Sequence, residues 1–288
     1  MSDQKIIFPY YHVVSDEGKA HYSQLYPFKS VNEFKKELDF LIKNFKPISL
    51  QELMELVQSG KKPKEKVFHL TFDDGLSECY DVIAPILKEK NIPATFFINT
   101  DFLDNEKLFY RFKANLLAEN FSTNGMLDIS YGNEKEIDDF ALTMGFSFDY
   151  YLKQSQPYLT SGQVQELIND GFTIGGHSLN HPLYNKISFE EQIKQTLKSV
   201  NFLVDKFDLD YKVFSFPFTD DGVGREFYEK INKELDLTFG TAGIKHDYSA
   251  KNLQRISMEE NKKGIEIIKS QYLYYFFKKF LGKNKINR

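Results

Sequence analysis

Two short stretches of this 288-residue chain hold residue types that could do chemistry together. The first is Thr71-Phe72-Asp73-Asp74-Gly75. Adjacent carboxylates repel, so a dry site raises the pKa of one of them unless a cation neutralises the pair. A metal held by one carboxylate would leave the other ionised and able to act as a base. The same five residues also suit a β-turn, where Asp-Gly is a common pair. The second stretch is His177-Ser178-Leu179-Asn180-His181. Two of the six histidines stand four apart, on one face if a helix or helical turn begins there. Gly175-Gly176, just before them, would let backbone approach the site closely. Two imidazoles and one carboxylate leave coordination positions open for water and substrate, which is the pattern of a catalytic metal rather than a structural one.

These residues need elements to position them. Residues 6–14 read as a buried strand carrying Tyr10, Tyr11 and His12. Residues 31–44 repeat apolar side chains at helical spacing. Ser49 is placed to cap a helix over 51–59, with Glu52 completing a capping box and Gly60 as its stop. A strand over 67–72 runs directly into Asp73. A helix over 78–90 and a strand over 94–98 follow, which makes a βαβ unit and implies parallel pairing. The alternation resumes with helices over 161–170, 188–206 and 225–234 and strands over 172–174, 213–216 and 237–240. This pattern predicts an α/β fold, either a parallel barrel or a doubly wound sheet. Asp73 then sits at the C-terminal end of its strand, where α/β barrels place their active sites. Residues 101–157 are polar and break the rhythm. They are expected to be an insertion that caps the active-site end.

Composition narrows the classes further. The chain is 41% hydrophobic, with 37 Lys+Arg against 41 Asp+Glu and a net charge of −4. It has a single cysteine, Cys79. A disordered chain, a disulfide-stapled domain and a cysteine-rich zinc site are excluded. No block of basic residues provides a nucleic-acid footprint. No run approaches the ~18 apolar residues of a membrane span. The first residues lack the charged and apolar regions of a signal peptide, so the expected location is cytoplasmic. Residues 262–288 contain eight Lys/Arg against one acid, Glu266, a net +7 that leaves −11 on residues 1–261. In 272–280, aromatics and lysines are mixed. Two readings stay open for this segment: a terminal helix covering the barrel with its lysines in solvent, or a peripheral membrane contact.

Taken together, the two stretches resemble the NodB-like polysaccharide deacetylases, carbohydrate esterase family 4. Residues 91–97 and 159–174 are similar to that family's second strand and to its lead-in to the histidines. The resemblance covers most of 6–258 outside the insertion. It implies a distorted (β/α) barrel over residues 1–261, with a divalent metal on Asp74, His177 and His181 and Asp73 as general base. Zinc is the expected metal, with cobalt, nickel or iron as alternatives. In the third motif, Phe214-Ser215-Phe216-Pro217-Phe218, Ser215 stands where many members carry an arginine that orients the base. Leu253-Gln254-Arg255 has no histidine where a Leu-x-His is usual. Both departures fit a subgroup, the poly-N-acetylglucosamine deacetylases of biofilm systems, whose acid histidine lies on the N-terminal strand. Tyr11-His12 matches that strand.

By this resemblance His12 is the general acid and the Phe218 backbone N–H holds the oxyanion. Pro217 and Tyr11 touch substrate, and Arg255 pairs with Asp73 in place of the missing arginine. His246 is the rival acid, His69 is a core or supporting residue, and His21 lies in a loop. The implied activity is removal of an N-acyl group, foremost acetyl, from an amino sugar in a glycan or its precursor. Two alternatives stay open: a carbohydrate-binding protein without catalysis on the same fold, and a deformylase or amidase acting on a lipid-linked sugar.

Overall fold

Apolar strands too short to shield themselves must pair, and here they pair in one direction only. The computed structural model describes residues 5–25 and 27–288, with all their side chains but that of Asn124. The strands are β1 (Ile6–Ile7), β2 (Pro9–Tyr11), β3 (Lys46–Pro47), β4 (Val67–Phe68), β5 (Leu70–Phe72), β6 (Ala94–Ile98), β7 (Thr173–Gly176), β8 (Val213–Ser215), β9 (Leu237–Gly240), β10 (Asn252–Gln254) and β11 (Ile256–Ser257). The main sheet has the order β10-β9-β8-β7-β6-β5-β2-β11, and every pairing in it is parallel. Its two outer members are consecutive in sequence. Residues 252–254 pair with β9, and after Arg255 residues 256–257 pair with β2. Arg255 N–H donates to Gly240 O (3.1 Å) and Ile256 N–H to Phe8 O (2.8 Å). The sheet therefore closes on itself at Arg255. The result is the distorted (β/α) barrel rather than an open sheet. Below it, β1, β4 and β3 form a small parallel sheet.

The helices between strands are α1 (Val31–Asn44), α2 (Leu50–Ser59), α3 (Ala84–Glu89), α4 (Tyr110–Phe121), α5 (Glu134–Thr143), α6 (Phe148–Ser155), α7 (Ser161–Asn169), α8 (Phe189–Phe207), α9 (Arg225–Ile231) and α10 (Gly264–Phe280). Ser49 and Glu52 form the capping box of α2, and Gly60 ends that helix in the left-handed region. A single π turn, Cys79–Ile83, leads into α3. Phe34, Leu38, Leu87, Leu167 and Leu203 bury the helices against Phe72, Phe96 and Ile174 of the barrel wall. The barrel interior is filled by Phe8, Phe97 and Phe239, with Phe97 and Phe239 ring centroids 5.3 Å apart.

Several expectations change. The first strand ends at Tyr11, not at residue 14, because the His12 and Val13 N–H groups donate to the Glu259 carboxylate instead of to a neighbouring strand. The strand over 252–257 lies in a stretch not assigned from sequence. The 101–157 segment folds as α4, α5 and α6 around Ala114, Leu117, Ile137 and Ala141. Its Phe102, Phe109 and Phe112 pack on Val13 and Leu76, just beyond β2 and β5. His21 is fully buried, bonded through Nδ1 to the Tyr151 hydroxyl at 2.8 Å. The terminal segment is helical. Ile267, Ile268 and Tyr275 of α10 join the main core.

Gly175 of β7 makes room for the Phe97 ring, since a Cβ there would lie 2.5 Å from Phe97 and 2.9 Å from Val213. Gly175→Ala is therefore expected to cost about 1–3 kcal/mol by overpacking, read as a lower urea midpoint at unchanged slope. Gly125→Ala, where nothing lies within 4 Å, serves as the control and should leave the midpoint in place.

Candidate active site and metal centre

A closed parallel barrel gathers the C-terminal ends of its strands at one mouth. Asp73 and Asp74 follow β5, His177 follows β7, Phe216–Phe218 follow β8, His12 follows β2 and Glu259 follows β11. The chain turns sharply as it leaves these strands. Among the described residues ten non-glycines have positive φ, and four of them, Asp74, Ser178, His181 and Phe218, lie here. Such conformations cost about 1–3 kcal/mol each and persist only where the surroundings dictate them. The two histidines are accordingly not on a helical turn, as their spacing suggests, but on an irregular one. The Ser178 hydroxyl accepts the His181 N–H at 2.9 Å, the Gln195 side chain accepts that of Leu179 at 3.0 Å, and the Asn99 amide donates to the His177 carbonyl.

This turn aims both imidazoles at Asp74. Nε2 of His177 lies 3.4 Å and Nε2 of His181 3.1 Å from Asp74 Oδ1. All three side chains are buried. His177 uses Nδ1 on the Ser215 carbonyl at 2.9 Å, which fixes its tautomer and leaves Nε2 as a bare acceptor. Neither Asp74 Oδ1 nor His177 Nε2 has a hydrogen-bond partner. Burial lowers the His181 pKa and, although Asp74 opposes this, the net shift is down, so the imidazole stays neutral, the form able to bind a metal. Orphaned lone pairs that converge in a dry pocket fit a cation. Two donors at 2.0–2.1 Å from a tetrahedral ion are about 3.3 Å apart, close to the spacings seen. Asp74, His177 and His181 are the group of this kind among the described residues.

Asp73 has a different counter-charge. Arg255 is fully buried and grips Asp73 with two parallel bonds, Nη1 to Oδ1 and Nη2 to Oδ2, both 2.7 Å. The same guanidinium donates to Thr71 Oγ1 (3.0 Å) and the Gly240 carbonyl (3.2 Å) and lies over the Tyr10 ring at 4.3 Å. Burial pushes the Asp73 carboxyl up, but the Arg255 guanidinium opposes it and the net shift is down. Asp73 therefore stays ionised. Ser215 Oγ reaches it only at 3.4 Å. The arginine missing from the β8 position is thus replaced, in space, by one on the strand that closes the barrel.

His12 stands on the opposite wall. Its Nδ1 is 2.5 Å from Glu259 Oε2. Burial alone lowers the His12 pKa, but the Glu259 carboxylate overcomes this and raises it to about 9. The imidazole is therefore protonated at neutral pH and faces a cavity of about 160 Å³ that also touches Asp73, Asp74 and His181. Phe216 and Phe218 supply another wall. The Phe218 ring packs on His181 with centroids 4.4 Å apart. Its N–H has no acceptor among the described residues.

Two expected substrate contacts are corrected. Side chains alternate along a strand, so Tyr10 and His12 point inward while Tyr11 points out. Tyr11 is fully buried, stacked on Phe72, with its hydroxyl on Glu37 at 2.7 Å. Tyr10 lines the cavity in its place. Pro217 is buried and is not part of the cavity wall. His246 lies elsewhere, against Tyr275. His69 is held in the core by the Ile48 carbonyl and Thr95 hydroxyl, both at 2.9 Å. Sequence reasoning missed Glu259, Tyr10 and the two roof residues from the insertion, Phe109 and Arg111. Phe109 lies 4.7 Å from the His181 ring. The one sequence signal for Glu259 is an acid just past a strand, and that strand was itself unassigned.

The profile of the family described as polysaccharide deacetylase matches residues 60–239. The chain belongs to the polysaccharide deacetylase family. Members of this family are hydrolases of amide carbon–nitrogen bonds. YxkH of Bacillus subtilis (strain 168) is 20% identical over 239 residues, which cover 81% of this chain and 66% of YxkH. The poly-β-1,6-N-acetyl-D-glucosamine N-deacetylase of Staphylococcus epidermidis is 28% identical over 139 residues, 44% of this chain and 47% of that one. The chain thus spans about two thirds and about half of these two relatives. The Streptococcus pyogenes deacetylase PplD, solved with acetate, superposes with a TM-score of 0.63 at 18% identity, covering 93% of this chain and 98% of PplD. That likeness is one of fold.

If Asp74, His177 and His181 hold a metal, Asp74→Ala, His177→Ala and His181→Ala are each expected to abolish metal retention by the purified protein while its circular dichroism stays unchanged, because these side chains support the site and not the barrel core. Metal analysis that finds a stoichiometric ion in two of the three variants would contradict the assignment.

Proposed function

We propose that this protein removes the acetyl group from an N-acetylated amino sugar, with a divalent cation on Asp74, His177 and His181. One observation carries the reading. A single small cavity is lined by Asp74 and His181 of the three-residue cluster, by an ionised Asp73 clamped by Arg255, and by a protonated His12. When bound, the cation supplies Lewis-acid polarisation of a carbonyl and a water of lowered pKa. A nitrogen–oxygen donor set of this kind suits zinc first, and cobalt, nickel or iron share its preferences.

The chain's own residues do the rest. Asp73, held as a carboxylate by Arg255, accepts the proton of the attacking water. The Phe218 N–H points its unpaired donor toward the acetamide oxygen as negative charge builds there, a contribution that is largest in the transition state. His12 passes its proton to the departing amine nitrogen, and Glu259 stabilises the imidazolium until then. As acetate leaves, Asp73 gives up its proton to solvent and His12 takes one up, which restores both starting states. Tyr10, Phe109 and Phe218 give the sugar ring apolar faces, and Arg111 meets its hydroxyls at the rim. A groove of about 530 Å³ runs from Asn180 past Tyr110 and Asp138 of the insertion and offers room for neighbouring residues of a glycan. The Staphylococcus epidermidis relative, by its name, acts on poly-β-1,6-N-acetyl-D-glucosamine, so oligomers of that sugar are the substrate to try first.

The direct test is acetate release by the zinc- or cobalt-loaded protein from β-1,6- and β-1,4-linked N-acetylglucosamine oligomers. Release from either supports the reading, and release from neither contradicts it. His12→Ala should lower kcat for the amide on the order of 10²-fold or more. An aryl acetate ester, whose leaving group needs no proton, should lose far less. Equal losses on both substrates would make His12 structural. Because the protonated imidazole is the active form, activity falls as pH rises through the His12 pKa. Glu259→Gln removes the carboxylate that raises this pKa, so the alkaline limb of kcat/KM should move to lower pH.

A further inference from the structure

The helix α10 is docked along one face, and its C-terminal half is bare along the other. Gly264, Ile267, Ile268 and Tyr275 are buried, and Gly264 approaches Glu37 and Met258 so closely that a Cβ would lie 2.9 Å from each. On the side away from Tyr275, Leu273, Tyr274, Phe276, Phe277, Phe280 and Leu281 stand in solvent, with Phe280 at 86% of its full exposure and Leu281 at 62%. Among the described residues twelve large hydrophobic side chains are exposed, and these six neighbours are half of them. Single exposed apolar residues are ordinary, whereas a contiguous cluster marks a surface that binds something.

The charge around the cluster says what that is. Lys269, Lys279, Lys283 and Lys285 are exposed on the same segment, and Lys278 lies 5.0 Å over the Tyr274 ring. Residues 262–288 carry +7 and residues 1–261 carry −11; within the segment Lys262 pairs with Glu260 and Arg288 with Asp220 and Asp247, and the other cations that accompany the apolar cluster face a single acid, Glu266. Protein interfaces deplete lysine from their apolar centre. The headgroup layer of a bilayer accepts the mixture, because aromatic rings settle at the interface while lysines extend to lipid phosphates. No helix among the described residues is long and apolar enough to cross a membrane, so the helix would lie along the surface.

We propose that the second half of α10, with residues 281–285, docks the protein onto an anionic lipid surface, its aromatic side chains in the interfacial layer and its lysines on lipid phosphates. The contact is independent of the deacetylase reading and places the barrel beside glycans assembled or exposed at a membrane.

The test is co-sedimentation of the full chain with phosphatidylglycerol–phosphatidylcholine vesicles and with pure phosphatidylcholine vesicles. Binding to the anionic vesicles is expected, on the order of 10-fold or more tighter than to the neutral ones and weakened by salt. Replacing Phe276, Phe277 and Phe280 together by Ser should reduce anionic-vesicle binding by about 10-fold or more, with circular dichroism and acetate release from soluble oligomers unchanged. Lys278→Gln with Lys279→Gln and Lys283→Gln should abolish the preference for anionic lipid. Failure to bind anionic vesicles overturns the proposal, as does binding that survives the triple Ser replacement. It is also overturned if sedimentation velocity shows a dimer lost in the triple Ser variant while vesicles are ignored, since a second copy of the chain is then the occupant.

Discussion

The bidentate pair between Arg255 and Asp73 joins fold to chemistry. Each group alone would be costly to bury, and the pair repays that cost only in good geometry with the remaining donors satisfied. The barrel comes close to both conditions. Two 2.7 Å bonds join the charges, and two of the three leftover guanidinium N–H groups go to Thr71 and Gly240. Arg255 can reach this position only because the strand it interrupts leaves β9 and takes up β2. Closing the barrel and placing a cation beside Asp73 are therefore one event. An open sheet would leave Asp73 buried and unpaired.

The same constraint explains why two adjacent aspartates can share a dry site. Neighbouring carboxylates with one partner between them would drive one pKa up. Here each faces a different partner. Asp73 turns toward Arg255, and Asp74, in the left-handed region at φ 72°, turns away toward His177 and His181. The backbone distortion keeps the roles apart, with one carboxylate held ionised and the other left with a bare oxygen for a cation. The insertion adds the dry wall this requires. Phe109 packs on the His181 ring, and Arg111 lies over Phe218 at 5.6 Å, so the roof rests on the same residues that form the floor.

How far the sequence could be read follows from which interactions are local. Ser49 with Glu52 and the apolar run 94–98 are local signals, and α2 and β6 lie where those signals put them. The Asp-Asp and His-x-x-x-His stretches are specific enough in type and spacing to mark the cluster. Strands buried on both faces show no apolar alternation, so composition does not separate Tyr10 from Tyr11, and only the alternation of side chains from His12 puts Tyr10 in the cavity. The irregular turn at His177–His181 was hidden too, since left-handed φ in non-glycine residues has no reliable sequence signature. The strand over 252–257 is largely polar because it faces buried partners such as Asp220 and Asp73. Apolar patterning therefore passes over it, and over Glu259 beyond it. His21 looks like a loop residue until the insertion folds over it and supplies Tyr151.

Unfolding free energies of Arg255→Met, Asp73→Asn and the double variant test most directly whether this pair unites fold and site. If the pair is the unit described, Arg255→Met alone costs about 3–5 kcal/mol by stranding a buried carboxylate. Adding Asp73→Asn then restores a large part of that loss. Contributions that instead add to within about 0.5 kcal/mol would mean that closure and the Asp73 carboxylate are energetically separate, and the account would be wrong.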